Sequence, residues 1–162
     1  MKWSLLQLNK IQKFPYSFKT ELDFKETIKD IDDIYDIDTV YVEGEIYRLD
    51  DETYQFKYQI RTKLVLQCSL TLDPVDYDFI NDYDEIFSKE ENDDYFLIEN
   101  NTIDLDEIVW SNIIIDKPIN VHKEDAYEIL ASRGIILGEE PKLDASEVII
   151  SYSSGKEKAE EN

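Results

Sequence analysis

Few of the residue types that drive covalent catalysis occur in this chain. His122 is the only histidine and Cys68 the only cysteine of 162 residues, and no nucleophile signature surrounds either. An isolated histidine is typical of a solvated or capping side chain. Cys68 falls on the apolar side of an alternating segment, where a buried, inert thiol is expected. The sequence therefore predicts a protein that is not an enzyme and has no small-molecule substrate.

Aspartate-rich segments are the next candidates for chemistry, because carboxylates coordinate calcium. Two such segments lie at residues 30–38 and 73–84. Neither has the glycine at position six or the distal glutamate of an EF-hand loop, and the second alternates with apolar residues as a strand does. A single cysteine also excludes an internal disulfide and a cysteine-rich zinc site. We expect no metal and no cofactor.

Charge is the strongest compositional signal. Acids outnumber bases 38 to 17, which gives a formal net charge of −21, while apolar residues make up 42% of the chain. That apolar content is too high for a disordered acidic chain. Residues 73–108 are the most acidic segment and contain one lysine, Lys89. No apolar run could span a bilayer and the start lacks a secretory stretch, so we expect a cytoplasmic protein without membrane contact.

One positively charged row interrupts this pattern. Lys57, Arg61 and Lys63 share the polar side of an alternating segment and span roughly 20 Å at ~3.3 Å per residue. Such a row on an open strand is usually only solvated, but it could also contact nucleic acid. Conversely, the acidic surface could meet a basic protein, since complementary fields favour encounter. The residues alone leave both alternatives open.

Period-two alternation predicts the elements that position these side chains. It is clearest from Tyr54 to Cys68 and recurs at residues 40–46, 75–79, 16–22 and, more briefly, 95–98, with a hairpin loop at 49–52. Helical spacing occurs at 24–31, at 105–113 after Asp104, and at 124–133 before Gly134. The pattern predicts an α+β fold, a mainly antiparallel sheet with a long central hairpin and two to three short helices.

No internal repeat or flexible linker divides the chain. We therefore expect a single domain over residues 1–152, which includes the acidic segment 73–108. Residues 153–162 have no apolar pattern, and we expect a disordered tail there.

Three segments in order resemble one family. Leu66–Leu72 resembles the Cys-Ser-Arg-Thr-Leu box of the YceD family, the large ribosomal RNA subunit accumulation proteins. The lysine-rich start from Met1 resembles its short members, and Ile103–Ile108 resembles the start of its Ile-Asp-Leu helix. The residues that match are Cys68, Ser69, Thr71, Leu72, Asp104 and Leu105. Leu70 replaces the arginine of the box, and the cysteine-rich end of many relatives is absent.

The resemblance implies a non-catalytic, bacterial, cytoplasmic ribosome-biogenesis factor that supports the accumulation or processing of large-subunit ribosomal RNA. Its implied partner is a basic ribosomal protein of the large subunit, the ribosomal RNA, or both. Candidate binding residues are Lys57, Arg61, Lys63, Ser69 and Thr71, with the two hydroxyls facing outward and Cys68, Leu70 and Leu72 inward. The alternatives are an acidic metal-dependent enzyme and a protein-interaction module unrelated to ribosomes.

Overall fold

A computed structural model describes residues 1–134. The strands are β1 (Lys2–Ser4), β2 (Tyr16–Leu22), β3 (Ile34–Ile37), β4 (Val40–Asp50), β5 (Thr53–Gln67), β6 (Pro74–Ser88), β7 (Phe96–Leu97) and β8 (Thr102–Asp104). The helices are α1 (Leu5–Asn9), α2 (Leu105–Asp116) and α3 (Ala126–Ser132), with a short 3₁₀ helix at Thr27–Asp30. The predicted α+β fold is confirmed. The tail predicted at 153–162 and the end of the domain predicted at 152 lie outside the described residues.

The main sheet has the strand order β2-β4-β5-β6-β7, and β3 pairs with β5 where β4 no longer reaches. All these pairings are antiparallel except that of β6 with β7. The predicted central hairpin, with its loop at 49–52, is the pair β4–β5, whose turn is confined to residues 51 and 52. β6 adds a second hairpin, because it pairs with β5 along the whole length of both strands. A separate two-stranded ribbon joins β1 to β8.

One face of the sheet is covered and carries the core. Even-numbered side chains of β5 point to this face, and Tyr54, Phe56, Ile60 and Leu64 are completely buried. The rings of Trp3, Phe18 and Phe56 meet edge to face, with Trp3 lying 5.2 and 5.4 Å from the other two ring centroids. Helix α2 adds Leu105, Val109 and Ile113 to the same cluster. Within residues 1–134, no helix or strand covers the opposite, open face of the sheet.

The helices follow their local sequence signals. Asp104 caps α2 by accepting a hydrogen bond from the Glu107 N–H, and acids at positions 106 and 107 suit the positive end of the helix dipole. The helix predicted at 24–31 is the shorter 3₁₀ turn, whose Ile28 is buried. Gly134 follows α3 at φ +80°, the left-handed conformation that glycine adopts most readily after a helix.

Candidate functional site

The open face of the sheet is a mixed but mainly acidic surface. Register places on it the odd-numbered residues of β2, β4 and β5 and the even-numbered residues of β6. Seven carboxylates and four cations share it: Glu21, Glu43, Glu45, Asp76, Asp78, Asp82 and Asp84 against Lys19, Lys57, Arg61 and Lys63. Acids therefore outnumber bases even on the face that carries the cations of β5.

The basic row (Lys57, Arg61 and Lys63) is exposed, as expected from alternation. Register places Lys57 between Glu45 on β4 and Asp84 on β6, and it places Lys63 opposite Asp78. Acidic side chains thus flank all three cations, since Arg61 forms an ion pair with Glu43 on β4, and they lower the positive potential that a phosphate would meet.

Arg61 and Lys57 also lie over aromatic rings of β4. The Arg61 guanidinium is 5.5 Å from the centroid of the Tyr41 ring and 3.7 Å from Glu43. The Lys57 ammonium is 5.3 Å from the Tyr47 centroid. The Tyr47 hydroxyl donates to Glu45, and this hydrogen bond raises the pKa of Tyr47. Cations held over rings are partly pre-oriented for a flat ligand or a neighbouring chain.

A row of four aspartates, here called the acidic row (Asp76, Asp78, Asp82 and Asp84), runs along β6. All four side chains are exposed and point to the open face. Two of them accept hydrogen bonds from amides of β5, Asp82 from Gln59 at 3.0 Å and Asp84 from Gln55 at 2.7 Å. Exposed Ile80 lies in the middle of the row, opposite Arg61.

The acidic segment 73–108 does not form one continuous surface. Beyond the acidic row, Glu90, Glu91, Asp93 and Asp94 lie in the exposed connection between β6 and β7. Asp104 caps α2, and Asp106 forms an ion pair with the amino group of Met1. The segment therefore supplies one ordered row and one charged loop, and its remaining acids serve mainly local structure.

Glu85 departs from this surface altogether, because it points beneath the sheet toward α2. Its carboxylate accepts hydrogen bonds from the Tyr58 hydroxyl and, at 2.9 Å, from the Asn112 amide, which also donates to Tyr58. Burial raises the pKa of Glu85, although these two donors partly oppose the shift. The Tyr83 ring stacks on Tyr58, and its hydroxyl donates to Asp116 at 2.6 Å. No pattern in the sequence indicated this network.

The residues of the motif at 68–72 form a tight turn between β5 and β6 and do not continue the strand. Strand β5 ends at Gln67, and the Leu72 N–H donates to the Cys68 carbonyl at 2.9 Å. Cys68 is buried, as predicted. Burial raises the pKa of its thiol, but hydrogen bonds from Thr71 and from the backbone of Lys123 and Leu70 together outweigh this effect and the net shift is downward.

Two predicted orientations in this turn are wrong. Thr71 is buried, not outward-facing, and its hydroxyl accepts a hydrogen bond from the Asp73 N–H at 3.3 Å. Leu72 is 59% exposed, not inward-facing, and has a φ of +65°. Both errors arise because alternation was extended past the end of β5 into a turn, where side chains no longer alternate between two faces. Ser69 is exposed as predicted.

This turn holds the segment 121–133 against the sheet. The Ser69 N–H donates to the Val121 carbonyl at 2.8 Å, and the Ser69 hydroxyl lies 3.0 Å from Nδ1 of His122. Arg133, at the end of α3, reaches the Asp73 carboxylate at 3.0 Å. The Arg133 hydrogen bond, followed by that of Thr71, lowers the pKa of Asp73 despite some desolvation. Ser69 and Thr71 therefore hold the fold together here, and they are not continuous with the basic row.

Ser69 and His122 lie 53 residues apart, so no sequence spacing indicated their contact. Within the described residues, no carboxylate bonds to His122, which leaves the pair without the third group that orients a catalytic histidine.

Residues 1–134 also contain no group of three or more His, Cys, Asp or Glu side chains placed to hold a metal ion. Two aspartates of segment 30–38 form ion pairs, Asp33 with Lys117 at 2.7 Å and Asp36 with Lys25 at 3.2 Å.

Within the same residues, no helix has the length and apolar character needed to cross a bilayer.

Comparison with known proteins gives two matches. The model of the family described as large ribosomal RNA subunit accumulation protein YceD matches residues 56–149. The uncharacterized protein YlbN of Bacillus subtilis (strain 168) is 32% identical over 135 residues, which cover 79% of this chain and 77% of that protein. No solved structure matches the chain. The family match includes the basic row, the acidic row, the turn at 68–72 and α2.

Proposed function

The chain belongs to the YceD family of large ribosomal RNA subunit accumulation proteins, and on this premise we propose that it acts by binding a basic ribosomal protein. The acidic row of β6 is the proposed contact. Binding there shields the cations of the ribosomal protein from premature contact with RNA, so that large-subunit ribosomal RNA accumulates in correctly assembled particles. The protein performs this role in the bacterial cytoplasm without making or breaking covalent bonds.

The observation that carries this proposal is the position of the cations. Lys57 and Lys63 lie opposite aspartates of the acidic row, and Arg61 lies 3.7 Å from Glu43. A phosphate approaching the basic row therefore also approaches these carboxylates. A cationic side chain approaching the acidic row also approaches Lys57 and Lys63, but carboxylates outnumber cations seven to four on this face. Complementary charge of this kind speeds association and excludes wrong partners.

A second mechanism uses the same face for direct RNA contact. Arg61 over Tyr41 and Lys57 over Tyr47 combine cations with partly exposed rings, and sheet faces that bind single-stranded RNA use this combination for stacking. In that mechanism the acidic row limits nonspecific binding. The two mechanisms predict opposite effects for replacements of the two rows.

Binding measurements on three variants of the full chain separate the mechanisms. The acidic-row variant carries Asp76→Asn, Asp78→Asn, Asp82→Asn and Asp84→Asn. Its matched control removes the same charge from the exposed loop through Glu90→Gln, Glu91→Gln, Asp93→Asn and Asp94→Asn. The third variant carries Lys57→Ala, Arg61→Ala and Lys63→Ala. Each is titrated with purified basic ribosomal proteins of the large subunit and with a fragment of large-subunit ribosomal RNA.

We expect the acidic-row variant to bind a ribosomal protein roughly tenfold or more weakly than the parent, with smaller losses for the loop control and the basic-row variant. The proposal is overturned if the parent binds RNA with a log–log salt slope of roughly −2 and the basic-row variant abolishes that binding. Equal losses in the acidic-row and loop variants would show that only net charge matters, which also contradicts a defined contact.

A further inference from the structure

The long strand β6 is an edge strand over most of its length. One side pairs with β5 from Pro74 to Ser88, but the other side pairs with β7 only at Phe87 and Ser88. Within residues 1–134, no strand lies beside residues 74–86 on that outer side. In an antiparallel ladder every second residue directs its N–H and C=O away from its partner. The Ser88 carbonyl accepts from the Ile98 N–H on the outer side, so the even-numbered residues of β6 face outward, and within residues 1–134 no strand pairs with those at 76–86.

We propose that this edge accepts an extended basic segment of the partner as an additional β-strand. The inference rests on the proposed function and specifies how the acidic row would be used. Main-chain hydrogen bonds to β6 supply the pairing, as in other cases of β-strand addition, and side chains select the partner. The acidic row would then lie beside alternate side chains of the added strand, about 4.5–5.5 Å away.

Charge decides which occupant the edge favours. A second copy of the chain would bring two acidic rows together, and like charges directly opposite one another destabilise strand pairing. A strand with cations at alternate positions would place them beside the aspartates instead. Exposed charge is also a device that protects edges from aggregation. Here it opposes acidic strands and favours basic ones.

Ile80 refines the expected sequence of the occupant. It is 58% exposed and lies midway along the row, between Asp78 and Asp82. An added strand therefore places cations at four alternate positions and an uncharged, apolar residue at the central one. Nine residues complete this pattern and span about 30 Å.

The experiment uses a synthetic nine-residue peptide in which lysines occupy positions one, three, seven and nine, valine position five, and threonine the rest. Two further peptides carry N-methyl groups on either the odd or the even residues, which blocks backbone donation without changing charge. Binding to the full chain is followed by fluorescence anisotropy, and exchange of the β6 amide hydrogens by NMR.

Only one of the two alternating sets of N–H groups in an added strand faces its partner. We therefore expect one methylated peptide to bind at least tenfold more weakly than the parent peptide and the other to bind nearly as well. The even-numbered amides within residues 76–86, which face away from β5, should exchange more slowly when the parent peptide is bound. The acidic-row variant should lose this binding, while the loop control should retain it.

Equal binding of all three peptides would refute strand addition. If the acidic-row variant still lost the ribosomal protein in that case, the proposed function would stand without this inference. Protection of the even-numbered β6 amides, which face away from β5, in the free protein would mean that the edge is already filled, and its dependence on protein concentration would distinguish a second copy from residues 135–162. Either result would overturn the proposal.

Discussion

Glu85 is the carboxylate of β6 that points away from the open face and into the fold. It belongs to the most acidic stretch of the chain, yet it lies beneath the sheet with Tyr58 and Asn112. The alternation of β6 does indicate this inward position, because residue 85 points to the same face of the sheet as the buried Phe79 and Phe87. An acid at an inward position of a strand predicts a buried polar partner, but the partners lie 27 residues away on two different elements and no local pattern identifies them.

The raised pKa of Glu85 makes its contribution to stability pH-dependent. A carboxyl group whose pKa is higher in the folded protein favours the fold in its protonated form. This contribution is complete below its unfolded pKa of about 4.3 and is lost as the pH rises through the native pKa. We therefore expect the parent to gain stability relative to Glu85→Gln as the pH falls from 7 to 4, measured by urea unfolding at several pH values.

Variants around Glu85 provide the control. Tyr58→Phe removes one donor to the carboxylate and should cost about 1–3 kcal/mol at neutral pH, with a smaller cost at pH 4 where Glu85 is neutral. Gln59→Ala removes an exposed amide hydrogen bond to Asp82 and should change stability by less than about 0.5 kcal/mol. A difference between the parent and Glu85→Gln that does not vary with pH would contradict the assigned burial.

At the scale of elements, the long alternating strands and the capped helix were predictable and the short elements were not. β5 and α2 each carry a repeated pattern over many residues, so the buried face follows from period alone. β1 and β8 have three residues each and pair across about 100 residues of sequence, Trp3 with Ile103. Their partners exist only after the chain has folded. The side-chain orientations predicted in the turn at 68–72 were wrong for a related reason, because nothing in the alternation indicated that β5 ends at Gln67.

Close approach between β4 and β5 gives a prediction at this scale. A Cβ atom on Gly44 would lie 2.1 Å from the Lys57 carbonyl oxygen and 2.5 Å from the Tyr58 Cα, both backbone atoms that cannot rotate away. Gly44→Ala must therefore separate the strands that position the basic row. We expect a loss of about 3 kcal/mol or more in the free energy of unfolding, measured by chemical denaturation.

Gly134→Ala is the matched control. Within residues 1–134, nothing lies within 4 Å of a Cβ at Gly134, and only its φ of +80° is unfavourable for alanine. Its cost should be about 1–2 kcal/mol, the ordinary penalty of a left-handed residue with a side chain. If Gly44→Ala proved no more damaging than Gly134→Ala, the close pairing of β4 and β5 at this position would be wrong.

For the whole molecule, the net charge of −21 is distributed so that few acids are neutralised. Most ion pairs of the described residues involve exposed side chains, such as Lys29 with Glu26 and Lys89 with Glu52. Exposed pairs contribute little to stability. The sum over the chain is therefore repulsive, and an acidic protein of this kind gains stability when a cationic partner or dissolved salt reduces the repulsion.

The last prediction tests this balance through salt. The Debye length shortens from about 30 Å at 0.01 M to about 8 Å at 0.15 M ionic strength, so salt screens long-range repulsion more than contacts below 4 Å. We expect the melting temperature of the full chain to rise over this range, by about 2–4 °C for each kcal/mol of repulsion removed. The melting temperature of the acidic-row variant should start higher at low salt and rise less, because its closely spaced charges are absent.

The loop control has the same net charge as the acidic-row variant, but its neutralised residues lie outside the sheet. Its melting temperature should therefore differ less from that of the parent, both at low salt and in its rise with salt. A melting temperature that falls with added salt would instead mean that attractive ion pairs dominate, and the acidic row would then be held by the fold's own cations and not be open to a basic partner.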